Sequence, residues 1–249
     1  MLDIEERSGV TVVRLRHGKV NALDLDLLQA ITAAMHEIDE ERALVLTGTD
    51  TAFSAGVDLR RILDGGTAYV EQFLPALSET FLAIFDRPGP VVAAVNGHAI
   101  AGGCVMAAAC DLRVMSQGTI GLAELSVGVP FPTSALEIVR HAVGPVASQL
   151  VLTAALLDPP QARSIGLIDH IELPDALLDS AVGHAQRMAR IPAEVFSFSK
   201  RQLQQPARDR IAARSEDDQA VLAMWSSTDT QKAISGYLGA LERRTRSTR

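Results

Sequence analysis

Aromatic side chains are scarce in this sequence, at 4% of 249 residues, so a core has to be assembled from Ala, Val, Leu and Ile. That is feasible, because 47% of the chain is apolar and a chain of this length buries most of its surface. Cysteine is equally scarce: Cys104 and Cys110 are the only two, both in an apolar run of small residues. This excludes a disulfide framework and predicts buried, inert thiols. No Cys/His cluster has zinc spacing, so no metal is expected. Positive charge is in the minority, with 23 Lys and Arg against 30 Asp and Glu, and a net charge of −7 gives no general attraction for nucleic acid. The one basic concentration, Arg243, Arg244, Arg246 and Arg249, reads as a solvated helix end. Long hydrophobic runs are missing too. The most apolar stretch, residues 99–110, is too short and glycine-broken to span a bilayer. The opening segment MLDIEERSGV lacks the apolar centre of a secretion signal. The expectation is a soluble, cytoplasmic protein with no membrane partner.

What is present is an alternation of short apolar runs with helical patterns. Residues 10–16 (VTVVRLR), 43–47 (ALVLT), 91–95 and 112–115 read as strands. Asp24 is placed to cap a helix to about residue 39, with Leu27, Leu28, Ile31, Met35 and Ile38 on one face. A second helix is expected over residues 67–86, stopped by Pro88 and Pro90, and a buried one of small side chains over residues 101–110. This order implies an α/β class with right-handed crossovers. After IDHIEL (168–173) only helical periodicity follows, punctuated at Pro192 and Pro206. The expected organisation is a core over residues 1–190 and a helical region over residues 191–249.

Two segments carry a feature that core building does not require. AFSAGVDL (52–59) follows a strand, and NGHAIAGGCVMAAACD (96–111) contains Gly102 and Gly103 where a helix begins. Both bring unpaired backbone N–H groups to a strand end, where Gly56 and the small Ser54 and Ala55 permit close approach of a ligand. Two such donors converging on one point form an oxyanion hole, which stabilises developing negative charge by about 3 kcal/mol per donor. Either segment alone is read more simply as a tight turn or a close-packed helix.

Together, and in this order, the two segments resemble the oxyanion-hole segments of the enoyl-CoA hydratase/isomerase (crotonase) superfamily. HGKVNALD (17–24), IGLAELSVGVP (120–130) and LLDPPQARSIGLIDHI (156–171) extend the resemblance along the chain. It implies a spiral of ββα units with a helical C-terminal region, assembled as a homotrimer or a hexamer made from two trimers. It also implies an acyl-CoA substrate, with CoA arriving as part of that substrate and no separate cofactor. By position, Ala55 and Gly102 would donate the two N–H groups, and Glu124 would be the catalytic carboxylate. Val20, Ala22, Leu23, Ala55, Gly56, Val57, Asp58, Leu59 and Gly102 would line the CoA site. Glu124 stands in an apolar setting (GLAELSVGV), which raises a carboxyl pKa and suits proton transfer.

One departure directs the choice among reactions. The hydratases of that family carry a second Glu in the helix after the glycines, and Val105 stands there in this chain. A single carboxylate suits migration of a double bond from 3-enoyl-CoA to 2-enoyl-CoA. Hydration of a 2-enoyl-CoA, thioester hydrolysis or decarboxylation on the same hole remain alternatives, as does a non-catalytic acyl-CoA-binding or RNA-associating relative. His98, Ser54 and Asp58 offer the elements of a nucleophilic triad, but no GxSxG elbow exists. Lys200 and Arg201 are read as solvated charges, with a second reading in which they approach the CoA phosphates. The C-terminal helices carry Ile211, Val221, Leu222, Met224, Trp225, Ile234, Tyr237 and Leu241, and those on stripes too wide for one chain's core are expected to pack between subunits.

Overall fold

The structure is a computed structural model that describes residues 1–247, with side chains as far as Arg243. Arg243 is exposed; the side chains of Arg244 and Arg246, and Arg249 altogether, lie outside the described residues.

The chain opens with an antiparallel hairpin, β1 (Leu2–Arg7) and β2 (Val10–Leu15), and α1 (Leu25–Glu37) then leads to β3 (Leu44–Thr47), parallel to β2. One unit now repeats. β3 is followed by a short β4 (Ala52–Ser54) and α2 (Leu59–Phe85). β5 (Val91–Val95) is followed by β6 (His98–Ile100) and α3 (Gly102–Ala108), and β7 (Leu112–Met115) by β8 (Ile120–Gly121) and α4 (Glu124–Val127). The chain continues through α5 (Thr133–Val143), α6 (Ala147–Leu152), β9 (Leu156–Leu157), α7 (Pro159–Ser164) and β10 (His170–Ile171). It ends in α8 (Leu177–Met188), α9 (Ala193–Ala213), α10 (Asp217–Trp225) and α11 (Thr228–Ser247). In each repeat the first strand joins a six-stranded sheet, order β1-β2-β3-β5-β7-β10, and the second joins a four-stranded one, order β4-β6-β8-β9. Two sheets growing together by one strand per turn make the expected spiral of ββα units.

Why the long strands read as unbroken apolar runs is now clear. The large sheet is covered on both faces, as parallel sheets generally are. Val12, Val45 and Val92 are register partners that face α8, packing with Leu177, Ala181 and Val182. Their neighbours Val13, Leu46 and Ala93 face the main core, which takes in Phe53, Phe73, Phe81 and Phe85. The C-terminal helices belong to that same core, through Ala207, Val221, Trp225 and Ile234.

The structure departs from the expectations in four places. β1 has a charged, largely exposed pattern because it is an edge strand held by pairing with β2 rather than by burial. β4, β6 and β8 to β10 have only two or three residues each, too few for periodicity to register. α2 begins at Leu59, capped by Asp58, and Gly66 (φ 57°, ψ −153°) breaks it just before the expected start at residue 67. α9 runs on through Pro206, where the helix was expected to be punctuated. Contacts on either side carry it across the lost N–H bond: Gln204 Nε2 donates to Phe85 O at 2.6 Å, and Ala207 is buried.

Lys200 is a further correction. Its ammonium is buried against the Asp111 carboxylate at 2.9 Å, not solvated, and Asp111 also accepts the Val91 N–H at 2.8 Å. Burial pushes the Asp111 carboxyl above its usual range, and Lys200 opposes that shift. The pair fastens α9 to the end of α3 and the start of β5. Lys200→Met should therefore cost on the order of 3 kcal/mol in urea unfolding, with Lys200→Met/Asp111→Leu recovering part of it. A single variant as stable as wild type would contradict this role.

Candidate active site

Three parallel strands of the small sheet, β4, β6 and β8, lie side by side, with Ser54 opposite Ala99 and Ile100 opposite Gly121. Their C-terminal ends therefore release three segments at one edge: residues 55–58, 101–102 and 122–124. Ala101 N–H donates to Gly121 O at 2.8 Å and ties the second segment to the third.

The first segment is held by a lattice of short bonds from residues 20–23. Ala55 N–H donates to Val20 O at 3.0 Å, Leu23 N–H to Gly56 O at 2.7 Å, and Asp58 N–H to Leu23 O at 2.9 Å. Gly56 N–H reaches Ser54 Oγ at 3.2 Å. Ala55, expected to provide the first oxyanion donor, therefore has its N–H engaged, and the structure corrects that assignment. Among the described residues, the N–H left without an acceptor in this segment is that of Val57. A peptide unit is planar and trans, so with Gly56 O turned to Leu23 the Val57 N–H points away from residues 20–23.

Gly102 is the first residue of α3, where a helical N–H has no partner within the helix. The capping residue Ala101 has φ 53° and ψ −122°, with no side-chain cap bond. Such a conformation in a residue with a Cβ costs about 1–3 kcal/mol and has to be held by its surroundings. Here it turns the chain sharply from β6 into the helix. The two segments then meet backbone to backbone. A Cβ on Gly56 (φ 83°) would lie 2.6 Å from Ile100 O and 3.2 Å from Gly102 N. One on Gly102 would lie 2.8 Å from Leu23 Cδ1, and one on Gly103 would lie 2.4 Å from Ser54 O. Glycine is a steric requirement at 56 and 103, where a Cβ would meet backbone, whereas at 102 the end of the Leu23 side chain would have to shift.

Glu124, the third contribution, opens the short helix α4 and is 8% exposed. Its Oε2 is buried without a hydrogen-bond partner among the described residues. Burial pushes its carboxyl up to about 8 from 4.5, against smaller lowering by the backbone N–H groups of Glu124 and Ala123. Cys104 lies close enough that, after burial, the Glu124 charge is the next cause raising its thiol pKa. Val105 is fully buried in the main core, so α3 adds no second carboxylate.

The remaining predicted residues fall into place around these. Asp58 caps α2 by accepting from Arg60 N–H and Arg61 N–H at 3.0 and 3.2 Å. Leu23 is buried, Ala22, Val57 and Leu59 are half-buried, and Val20 is exposed. Ser54, His98 and Asp58 form no triad: Ser54 Oγ donates to Asn21 O at 2.7 Å, and His98 Nδ1 lies 2.9 Å from Thr119 Oγ1. Sequence reasoning missed Asn21, which is fully buried at φ 50°. Its Nδ2 donates to Ala52 O and Phe53 O, each at 3.2 Å, and its Oδ1 accepts from His17 N–H at 2.8 Å. Its signal was its place in NALD beside a strand end; only the fold shows what it holds. Among the described residues no group of three or more His, Cys, Asp or Glu is arranged to hold a metal, and no helix is long and apolar enough to cross a membrane.

The Val57 and Gly102 amides and the buried carboxyl of Glu124 thus follow three neighbouring strands of the small sheet in a ββα spiral. The family model for enoyl-CoA hydratase/isomerase matches residues 5–247, and the chain belongs to that family. Human mitochondrial enoyl-CoA delta isomerase 1 is 25% identical, over 97% of this chain and 83% of its own. A putative enoyl-CoA hydratase of Thermus thermophilus is 33% identical over 74% of this chain and 76% of its own. The crystal structure of human mitochondrial delta3-delta2-enoyl-CoA isomerase matches with a TM-score of 0.90 at 25% identity, covering 98% of each chain.

The Glu124 pKa carries a stability consequence with a definite sign. Below 4.5 the carboxyl is protonated in both states; between 4.5 and about 8 the unfolded chain ionises while the folded one keeps its proton. This group's contribution to stability is thus intact at low pH and lost as pH rises to about 8. Glu124→Gln, which cannot ionise, should unfold at a higher temperature than wild type, by a margin that widens from about pH 5 to about pH 9. A margin independent of pH would show that Glu124 titrates normally.

Proposed function

We propose that this enzyme moves the double bond of a 3-enoyl-CoA to give the 2-enoyl-CoA, with Glu124 as its one proton carrier. The observation that carries the reading is the lone buried carboxyl of Glu124, with an unpartnered oxygen, at the strand edge that also presents Val57 N–H and Gly102 N–H. The thioester oxygen lies between the two N–H donors. Glu124 removes a proton from C2, the C2–H electron pair moves into the dienolate, and the charge on oxygen is held by the amides. The same proton returns at C4, which leaves the double bond between C2 and C3 and Glu124 ionised again. No metal or redox cofactor enters this chemistry, and CoA is carried in as part of the substrate, beside residues 20–23 and 55–59. Hydration would need a second group to hold water, and the buried Val105 offers none.

Assembly is part of the proposal. Val221, Trp225 and Ile234 are absorbed by the chain's own core, whereas Val195, Phe198 and Leu203 of α9 and Met224 of α10 remain exposed. That apolar surface supports a trimer, or two trimers, built through residues 191–249. Light scattering at micromolar concentration is expected to give at least three copies; a stable monomer would contradict it.

A base that starts at about 8 should make kcat/KM rise with pH and level off above that value. Glu124→Gln should lower kcat by at least about a thousandfold while KM changes little. Wild type given 3-enoyl-CoA and 2-enoyl-CoA in parallel, with products followed by mass, should isomerise the first much faster than it hydrates the second. Efficient hydration without isomerisation would overturn the reading in favour of a hydratase.

A further inference from the structure

The geometry points to Ser54 as a positioning residue for the oxyanion site: through the buried clip it forms with Asn21, it fixes the direction of the Val57 N–H. This rests on the proposed use of Val57 and Gly102 as donors. Ser54 is fully buried, and its hydroxyl has two partners: it donates to Asn21 O at 2.7 Å and accepts from Gly56 N–H at 3.2 Å. Asn21 in turn grips β4 through Ala52 O and Phe53 O. The clip thus closes a loop of bonds around one turn. Gly56 is held at its nitrogen by Ser54 and at its oxygen by Leu23, and Asp58 is held at its nitrogen by Leu23.

Every peptide next to the Val57 N–H is therefore anchored, while that N–H itself is left open. Rotating the Gly56–Val57 peptide breaks the Leu23 bond unless the Gly56 nitrogen moves with it, and Ser54 Oγ is what restrains that nitrogen. The start of α3 packs directly on Ser54: a Cβ on Gly103 would strike its main-chain oxygen and Cβ, at 2.4 and 2.9 Å. A hydroxyl suits this place. It is small enough for the packed start of α3, and it can donate and accept at once. Phe53 and Ala55, on either side, have no side-chain group able to do so.

The role predicts a loss in the reaction rather than in CoA binding, since the misdirected donor acts on charge that develops during the reaction. Ser54→Ala should lower kcat for 3-enoyl-CoA by about tenfold while KM stays within about twofold. The affinity for a thioether analogue that lacks the carbonyl should be unchanged. A 3-oxoacyl-CoA, whose bound enolate absorbs in the near ultraviolet, gives the direct readout. Its enolisation on the variant should titrate about one pH unit higher than on wild type, the equivalent of the same tenfold. Ser54→Cys, somewhat larger but of the same shape and a weak donor and acceptor, should recover part of the loss and serves if the alanine variant does not fold. A role in packing alone predicts kcat and thioether affinity falling together with thermal stability, with no shift in enolisation, and that result would overturn the assignment. Wild type that neither isomerises nor enolises would overturn the oxyanion reading itself. Wild type that enolises, with a folded Ser54 variant identical to it, would overturn only the role of Ser54.

Discussion

The contact on which the site depends is one of backbone against backbone, where Gly56 meets Ile100 O and the start of α3 with only the Ala101 Cβ alongside. Two strand ends can come this close only because Gly56 carries no Cβ, since one there would strike Ile100 O and the Ala101 Cβ. Once they do, the Val57 and Gly102 amides follow at neighbouring strand ends. The glycines at 56, 102 and 103, the small residues around them and the strained Ala101 all serve that one approach. Ala101 is the exception with a Cβ, and it adopts a positive φ where glycine would be free of strain.

The spiral topology supplies the rest. Because each ββα unit adds one short strand to the small sheet, three successive units deliver their chain to the same edge. The first brings Val57, the second Gly102 and the third Glu124. No long side chain has to reach across a cleft, since each group sits within a few residues of a strand end. Placing α4 directly after β8 also explains why Glu124 is buried. The same packing that shields its carboxyl raises its pKa, so burial here costs stability at high pH and suits the proposed proton carrier.

Much of this was legible in the sequence, though unevenly. The long strands of the large sheet announced themselves as apolar runs because both faces are covered. The Asp24 cap was readable for a local reason: Asp24 accepts from Leu27 N–H within one turn. The two- and three-residue strands of the small sheet carried no period, yet they set the site. The error at Ala55 has the same origin. Which N–H of AFSAGVDL is left open depends on bonds from residues 20–23, and nothing within the segment records them. Lys200 was misjudged likewise, since its partner Asp111 lies far away in sequence and the helical pattern around it shows only a charge.

The central claim is that one carboxyl, Glu124, takes a proton from C2 and returns it to C4 while the oxyanion waits on Val57 and Gly102. The most direct measurement is a label transfer: 3-enoyl-CoA deuterated at C2 is converted in ordinary water, and the early product is examined for deuterium at C4. A single buried carrier shielded from solvent predicts that a measurable share of the deuterium arrives at C4. Product formed at full rate with only solvent hydrogen at C4 would contradict it, because the carrier would then exchange its proton with solvent or another group would return it.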